Sequence, residues 1–225
     1  MNSPEKRFDP VKKSKVFNRI LSTFKLRKKK VLDLGCSFGE FLSLFGPGSV
    51  GITTTLAEVE YGKKHRLNIK QGNVELIDKI GIKESFDAIW ANNLFEHLLA
   101  PHAFLIKLKT VAKDDTILLL GVPTIPRCPS LMRITAFRGA LATAHVNFFT
   151  RESLRLTVQR AGWKVLDIRP FVTNIRWLDR LCSFFAPHLY VVAVNDRHFR
   201  YHDKKLMEWK DDAHYQDILK IVKNQ

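Results

Sequence analysis

Short apolar runs recur through the middle of the chain. KVLDLG, SVGIT, LNIKQ, FDAIWA and TILLLGV are bounded by Gly, Asp or Asn and read as buried β-strands. Between them GEFLSLFG, LAEVEYGKKH, VELIDKI and the longer LFEHLLAPHAFLIKLKTVA carry apolar residues at helical spacing and read as helices. Strands alternating with helices over residues 29–122 predict an α/β domain, doubly wound, with a mostly parallel sheet and helices on both faces. Ligands on such sheets bind at the carboxyl ends of the strands.

The pattern breaks after Gly121. Residues 122–148 hold three prolines, three arginines (Arg127, Arg133, Arg138) and no acid, which predicts an irregular, basic, lid-like insertion over the strand ends. Regularity returns at Thr150, which caps a predicted helix RESLRLTVQRAGW that Gly162 ends. WKVLDIRPFV and HLYVVAV are further strands around an aromatic helical stretch, Trp177 to Phe185. Met207, Ile218, Leu219 and Val222 predict one more amphipathic helix in the charged tail, 196–225. Before the domain, Val16, Phe17, Ile20, Leu21 and Phe24 repeat at helical spacing, so residues 1–28 form a basic helical extension with one apolar face. The α/β domain itself is assigned to residues 29–195.

Composition narrows the picture. A chain of 225 residues with 45% hydrophobic content supports one substantial core rather than two complete domains. No run approaches the ~20 apolar residues of a membrane span, and the start lacks a secretory signal, so a cytoplasmic protein is expected. The three cysteines, Cys36, Cys128 and Cys182, are widely spaced and form neither a disulfide framework nor a zinc pattern. The first thirty residues carry eleven Lys or Arg against two acids, more than half of the net charge of +15. Residues 12–30 are therefore the candidate contact for an anionic surface, and with LDRLCSFFAP they suggest peripheral attachment to an anionic membrane.

The strongest local motif is VLDLGCSFGEF, residues 31–41: a strand ending in Asp33, then a glycine turn, then a predicted helix start. Gly35 and Gly39 permit a sharp turn and let a ligand approach the backbone, so a nucleotide-type ligand is expected. A dinucleotide fingerprint G-x-G-x-x-G fails, because Ser37 and Glu40 stand where glycines are needed and Thr53, Thr54 and Thr55 replace the downstream acid. A phosphate-binding G-x-x-x-x-G-K-[ST] loop is absent from the sequence.

Five blocks in order, VLDLGCSFGEF, SVGIT, IKQGNVE, FDAIWANNLFEHLLAPHAFLIKLKTVAKDDTILLLGVP and HVNFFTRESLRLTVQRAGW, resemble the successive motifs of class I S-adenosylmethionine-dependent methyltransferases. They cover roughly residues 30–170, and the likeness is greatest to the subgroup acting on small molecules, glycans and quinone precursors. The resemblance implies a seven-stranded Rossmann-like sheet and S-adenosylmethionine as cofactor. It implies that Asp33, Gly35, Cys36, Ser37 and Gly39 hold the methionine portion. Asn73, beside Val74, would read the adenine edge, and Asn92 would stand at the end of the fourth strand near the methyl group. Many relatives carry an acid on the ribose hydroxyls where this chain has Thr53; the Thr53 hydroxyl or Glu58 is the substitute.

The acceptor side follows from the same resemblance. Glu96, His97 and His145 are the expected catalytic residues, since an alcohol or phenol acceptor benefits from a base that removes its proton. In quinone-pathway and small-RNA 2′-O-methyltransferases an E-x-x-E-H motif and a later histidine bind a divalent metal. Here Asn93 replaces the first carboxylate, and because hard cations prefer carboxylate oxygen no metal is assigned. Base methylation of nucleic acid is disfavoured, because Asn92-Asn93-Leu94-Phe95 lacks the Pro-Pro of exocyclic amine methyltransferases. The expected activity is O-methylation of a small or glycan-type acceptor, with the arginines of the insertion pointing to an anionic one. The alternatives are a catalytically silent methyltransferase-like binding module and a metal-assisted enzyme acting on a lipid-linked or RNA hydroxyl.

Overall fold

The computed structural model describes residues 3–223, so the two outermost residues at each end of the predicted extensions lie outside the described residues. Two short helices, α1 (Phe8–Lys13) and α2 (Lys15–Thr23), precede the sheet. Ser14 separates them and caps α2, its hydroxyl accepting from the Phe17 N–H at 3.2 Å. The first three strands are β1 (Val31–Leu34), β2 (Val50–Thr53) and β3 (Ile69–Gln71), with α3 (Leu56–Lys64) between the last two. Then follow β4 (Phe86–Asn92), α4 (Pro101–Leu108) and the long β5 (Ala112–Ile125). The final part comprises β6 (Phe149–Thr150), α5 (Arg151–Arg160), β7 (Trp163–Arg169), α6 (Arg176–Cys182), β8 (His188–Asn195), α7 (Asp203–Lys210) and α8 (Gln216–Lys223).

The sheet order is β3-β2-β1-β4-β5-β8-β7, with two-residue β6 attached to β5. Pairing is parallel from β3 to β5, and β8 runs antiparallel to both β5 and β7. The chain moves outward from β1 to β3, then returns to place β4 on the other side of β1. That reversal opens a crevice above the carboxyl ends of β1 and β4.

The central strands are buried on both faces, with successive side chains pointing to opposite sides. Leu32, Ile89, Leu118 and Leu120 face the core that holds Phe104, Leu105, Leu154 and Val158 of α4 and α5. Val31, Ala88, Trp90 and Leu119 face the opposite side, where α2 lays down Phe17, Ile20 and Leu21. The basic helix is thus bound to the sheet by its apolar face, with its lysines outward. Buried Trp163 opens β7 and donates from Nε1 to the Leu105 carbonyl at 2.9 Å, joining β7 to α4. Thr150 and Ser153 form the expected capping box on α5, and Gly162, at φ 78°, ends it.

Three predicted helices differ from expectation. GEFLSLFG is a turn with a 3-10 segment at Leu42–Leu44, and VELIDKI is a 3-10 segment, Val74–Lys79. Both segments are too short to nucleate a helix without tertiary support. The long helix across 94–112 is broken: a 3-10 turn at Phe95–His97 leads through extended Leu98 to α4, which starts at Pro101. Proline disfavours helical backbone in the residue before it, and Ala100 is accordingly non-helical at φ −132°, ψ 69°. The insertion is two 3-10 turns, Pro129–Arg133 and Thr135–Leu141, and the tail folds into two helices instead of one. Among the described residues no helix is long and apolar enough to cross a membrane.

Candidate active site

At the end of β1 the backbone turns through three left-handed residues, Gly35 (φ 71°), Ser37 (φ 51°) and Gly39 (φ 89°). The Gly35 and Cys36 amides both donate to the Ile52 carbonyl at 3.0 Å, tying the turn to the end of β2. A side chain at Gly35 would be strained by its φ, and its Cβ would press on Leu94 Cδ1 at 3.2 Å. Beside this turn lies a cavity of about 260 Å³ whose walls include Gly35, Ser37, Thr53, Glu58, Val74 and Leu94.

Glu58, from the first turns of α3, is its organising acid. Ser37 Oγ donates to Glu58 Oε1 at 3.0 Å, and the Thr53 hydroxyl makes a short hydrogen bond to Oε2. At the end of β2, where the sequence resemblance leads one to expect an acid, Thr53 instead holds a carboxylate from five residues further along the chain. One region of the cavity offers hydroxyls and a carboxylate; Ile52, Val74 and Leu94 offer apolar surface to a flat heterocycle. This donor set suits a ligand with a ribose diol and a purine.

Other predicted cofactor residues do not line this cavity. Asp33 is buried at the end of β1, its Oδ2 without a hydrogen-bond partner; burial, and then the neighbouring Glu40 charge, push its carboxyl well above the usual range. Cys36 points away into a small cluster with Leu42, Val59 and Ile69, and burial pushes its thiol up. Gly39 is favoured by its φ of 89°, and a Cβ there would also displace the end of the Leu67 side chain, 2.7 Å away at Cδ1. The Asn73 side chain is exposed and caps the following 3-10 turn, its Oδ1 accepting from the Glu75 N–H at 3.0 Å, while its neighbours Gly72 and Val74 form the cavity wall. Asn92 lies against Gly121, its Oδ1 buried and unpartnered.

On the other side of β4 a second cavity, of about 430 Å³, is lined by Asn93, Glu96, His97, His145 and His188, under the 3-10 turns of the insertion. Glu96 is 1% exposed, and both carboxylate oxygens lack hydrogen-bond partners. Burial pushes its carboxyl above the ordinary carboxylate value, against the opposing pull of its backbone hydrogen bond and the two imidazoles. His97 Nδ1 meets the Ala144 carbonyl at 3.0 Å, and His145 Nδ1 meets the Ala140 carbonyl at 3.2 Å. A carbonyl only accepts, so both rings carry a proton on Nδ1, and their Nε2 atoms are turned into the cavity. Each Nε2 faces Glu96 Oε1, at 3.9 Å from His97 and 3.8 Å from His145. The backbone locks the arrangement, with the Val146 and Asn147 amides both donating to the Glu96 carbonyl at 3.0 Å.

Sequence reasoning missed His188. It opens β8, pairs in register with Pro123, and its Nε2 lies 2.9 Å from Asn93 Oδ1. Asn93 holds a left-handed backbone at φ 51°, a conformation asparagine tolerates. Burial holds the His188 imidazole down, at about 4.

A sheet reversing beside β1, a glycine turn with a hydroxyl-carboxylate cavity, and a histidine-lined cavity across β4 define an S-adenosylmethionine-dependent transferase of Rossmann-like fold. The profile of the methyltransferase-domain family matches residues 6–168, and the chain belongs to that family. No curated protein sequence matches the chain.

Solved structures agree in fold. A SAM-dependent methyltransferase from Archaeoglobus fulgidus superposes with a TM-score of 0.58 at 16% identity, covering 86% of this chain and 100% of the other. The complex of the Haloferax volcanii Trm112 methyltransferase activator with a putative methyltransferase gives 0.61 at 14%, covering 86% and 95%. A TehB-like SAM-dependent methyltransferase from Corynebacterium glutamicum gives 0.58 at 15%, covering 85% and 96%. The chain is an S-adenosylmethionine-dependent methyltransferase. At these identities the structural neighbours speak for fold alone.

Proposed function

We propose that this enzyme transfers the methyl group to an oxygen of a small or glycan-type acceptor, with Glu96, His97 and His145 on the acceptor side and the Gly35–Glu58 cavity on the cofactor side. The observation that carries this reading is the orientation of the two imidazoles: Nδ1 of each is tied to a carbonyl and Nε2 of each is turned toward one buried carboxylate. Bound S-adenosylmethionine supplies an activated methyl on a sulfonium. The protein's own work is to exclude water, hold the acceptor in line and accept its proton. Either Nε2 can take a hydroxyl proton, and Glu96 beside it stabilises the imidazolium that results. From the insertion, Ala136 and Gly139 form part of the cavity wall.

The test is labelled methyl transfer into fractionated extract, followed by turnover of the accepted fraction by His97→Ala and His145→Ala. A general base predicts a loss of about 10²–10⁴-fold with cofactor affinity and melting temperature retained. Variants that melt normally and turn over at the wild-type rate exclude both histidines from catalysis.

One observation favours a second reading, in which a divalent cation sits among the same groups. The ligand atoms of Glu96, His97 and His145 lie within 4.8 Å of one another, and the imidazoles are fixed by backbone carbonyls in the manner of metal-bound histidines. A cation there would orient and acidify the acceptor hydroxyl. Activity removed by chelator and restored by added divalent ion distinguishes this reading from a base.

The place of action is inferred from a surface. Trp177, Leu181 and Phe185 repeat every fourth residue on and after α6 and are 67%, 52% and 54% exposed. The basic helix adjoins them: Arg19 Nε donates to Asn174 Oδ1 at 2.9 Å, and Phe24 packs on Phe171 with ring centroids 5.9 Å apart. Exposed apolar side chains on and after α6, together with the basic N-terminal segment, support peripheral attachment to an anionic bilayer.

A further inference from the structure

Arg127 and Arg151 approach one aromatic ring from two different elements. Arg127 follows β5 and donates its backbone N–H to the Phe184 carbonyl at 2.8 Å; Arg151 opens α5. Their guanidinium carbons lie 5.4 Å and 5.8 Å from the Phe184 ring centroid. With Ile125, Pro126 and Leu189 they enclose a cavity of about 570 Å³, larger than either cavity of the active site.

The charges in this cavity are unbalanced. Among the described residues neither guanidinium makes an ion pair, and Arg151 Nε is buried with no hydrogen-bond partner. The acid on the rim, Glu152, is engaged by Arg155, whose Nε donates to Oε2 at 3.1 Å. Two cations beside one ring, one with a buried unsatisfied donor, form an arrangement that an anion relieves, because each guanidinium offers a planar fork to a carboxylate or phosphate. The apolar floor takes the hydrocarbon part of the same ligand. The other arginines of the insertion do not converge here: Arg138 is spent bracing the insertion, donating to the Met132 and Arg133 carbonyls.

We propose that the Arg127–Arg151–Phe184 cavity is a binding subsite for an anionic group, carboxylate or phosphate, carried on an apolar or aromatic body. The inference rests on the proposed acceptor site and deepens it. Pro123 and His188 line the histidine cavity while Ile125 and Leu189 line this one, so about 7 Å of β5 separates the two walls. An acceptor with its hydroxyl at His97 and His145 has its anion within reach of the arginines.

The test titrates 1-naphthyl phosphate into the full chain, with 1-naphthol and inorganic phosphate as comparison ligands and S-adenosylhomocysteine titrated in parallel. Naphthyl phosphate is expected to bind more tightly than either part, and Arg127→Gln/Arg151→Gln to weaken it at least about tenfold, leaving S-adenosylhomocysteine affinity unchanged. Lys28→Gln/Lys29→Gln, which removes the same two charges elsewhere, is expected to leave it unchanged. Should the double variant melt early, Arg127→Gln alone carries the test, because Arg127 is exposed. Equal affinity in the arginine variants, or an equal loss in the lysine variant, overturns the subsite. Vesicles containing phosphatidic acid separate the sources: arginine-dependent retention assigns a lipid headgroup, whereas naphthyl phosphate binding without it assigns a soluble anion. Loss of S-adenosylhomocysteine binding in the wild type strikes the methyltransfer reading, while its retention without naphthyl phosphate binding strikes this subsite alone.

Discussion

The Thr53 hydroxyl at the end of β2 donates a short hydrogen bond to the Glu58 carboxylate in α3, and Ser37 of the glycine turn donates to the other oxygen of the same group. Three segments therefore share one acid at the rim of the cavity beside Gly35. Thr53 is 6% exposed, so its hydroxyl has little choice of partner once the sheet has formed.

Glu58→Gln is expected to weaken S-adenosylhomocysteine binding by about 1.5–3 kcal/mol, the range for hydrogen bonds to a charged group, or roughly 10- to 150-fold in Kd. Calorimetry on a variant that melts normally measures it. An unchanged Kd would mean that the ribose is held elsewhere.

Attachment to a bilayer is expected to need both the basic N-terminal block and the exposed apolar side chains on and after α6. Lys28→Gln/Lys29→Gln/Lys30→Gln should reduce cosedimentation with anionic vesicles by about 1 kcal/mol per charge removed. Trp177→Ser/Phe185→Ser should reduce it even at low salt, where screening is weakest. Wild-type protein that stays in the supernatant with anionic vesicles contradicts the peripheral assignment.

The strands were legible in the sequence because short, nearly continuous apolar runs bounded by Gly, Asp or Asn are a local signal: KVLDLG, SVGIT and FDAIWA are buried almost throughout. The segments 39–46 and 74–80 were not, because a few apolar residues at helical spacing do not distinguish an α-helix from a 3-10 turn packed on a sheet. Two-residue β6 has no local signature, since it exists only by pairing with Thr124 and Ile125. In the site, Glu58 could be nominated from sequence but not placed. His188 could not be nominated, because its partner Asn93 lies 95 residues away and only the β5–β8 register brings them together. The same limit hid Arg151, which reads as an ordinary first-turn residue of α5 until Arg127 and Phe184 are placed beside it.

Acid should destabilise the fold through His188. Its imidazole is held at about 4 by burial against an ordinary value of 6.5, so between those pH values the unfolded chain binds a proton that the folded chain refuses. The stabilisation is complete above pH 6.5 and is lost as pH falls toward 4, up to about 3 kcal/mol in all. Melting of His188→Gln across this window should show a shallower pH slope than the wild type. Identical slopes would assign the acid sensitivity to other groups.

The central claim is that the turn after β1 and the Glu58 cavity hold the cofactor. Calorimetric titration of S-adenosylhomocysteine into wild type and Gly35→Val tests it most directly, because Gly35 combines a φ of 71° with a Cβ position 3.2 Å from Leu94. Saturable binding at one site per chain in the wild type, lost in a variant that remains folded by circular dichroism, is the predicted result. A folded wild type that binds no S-adenosylhomocysteine, or a folded Gly35→Val that binds it with unchanged affinity, would contradict the account.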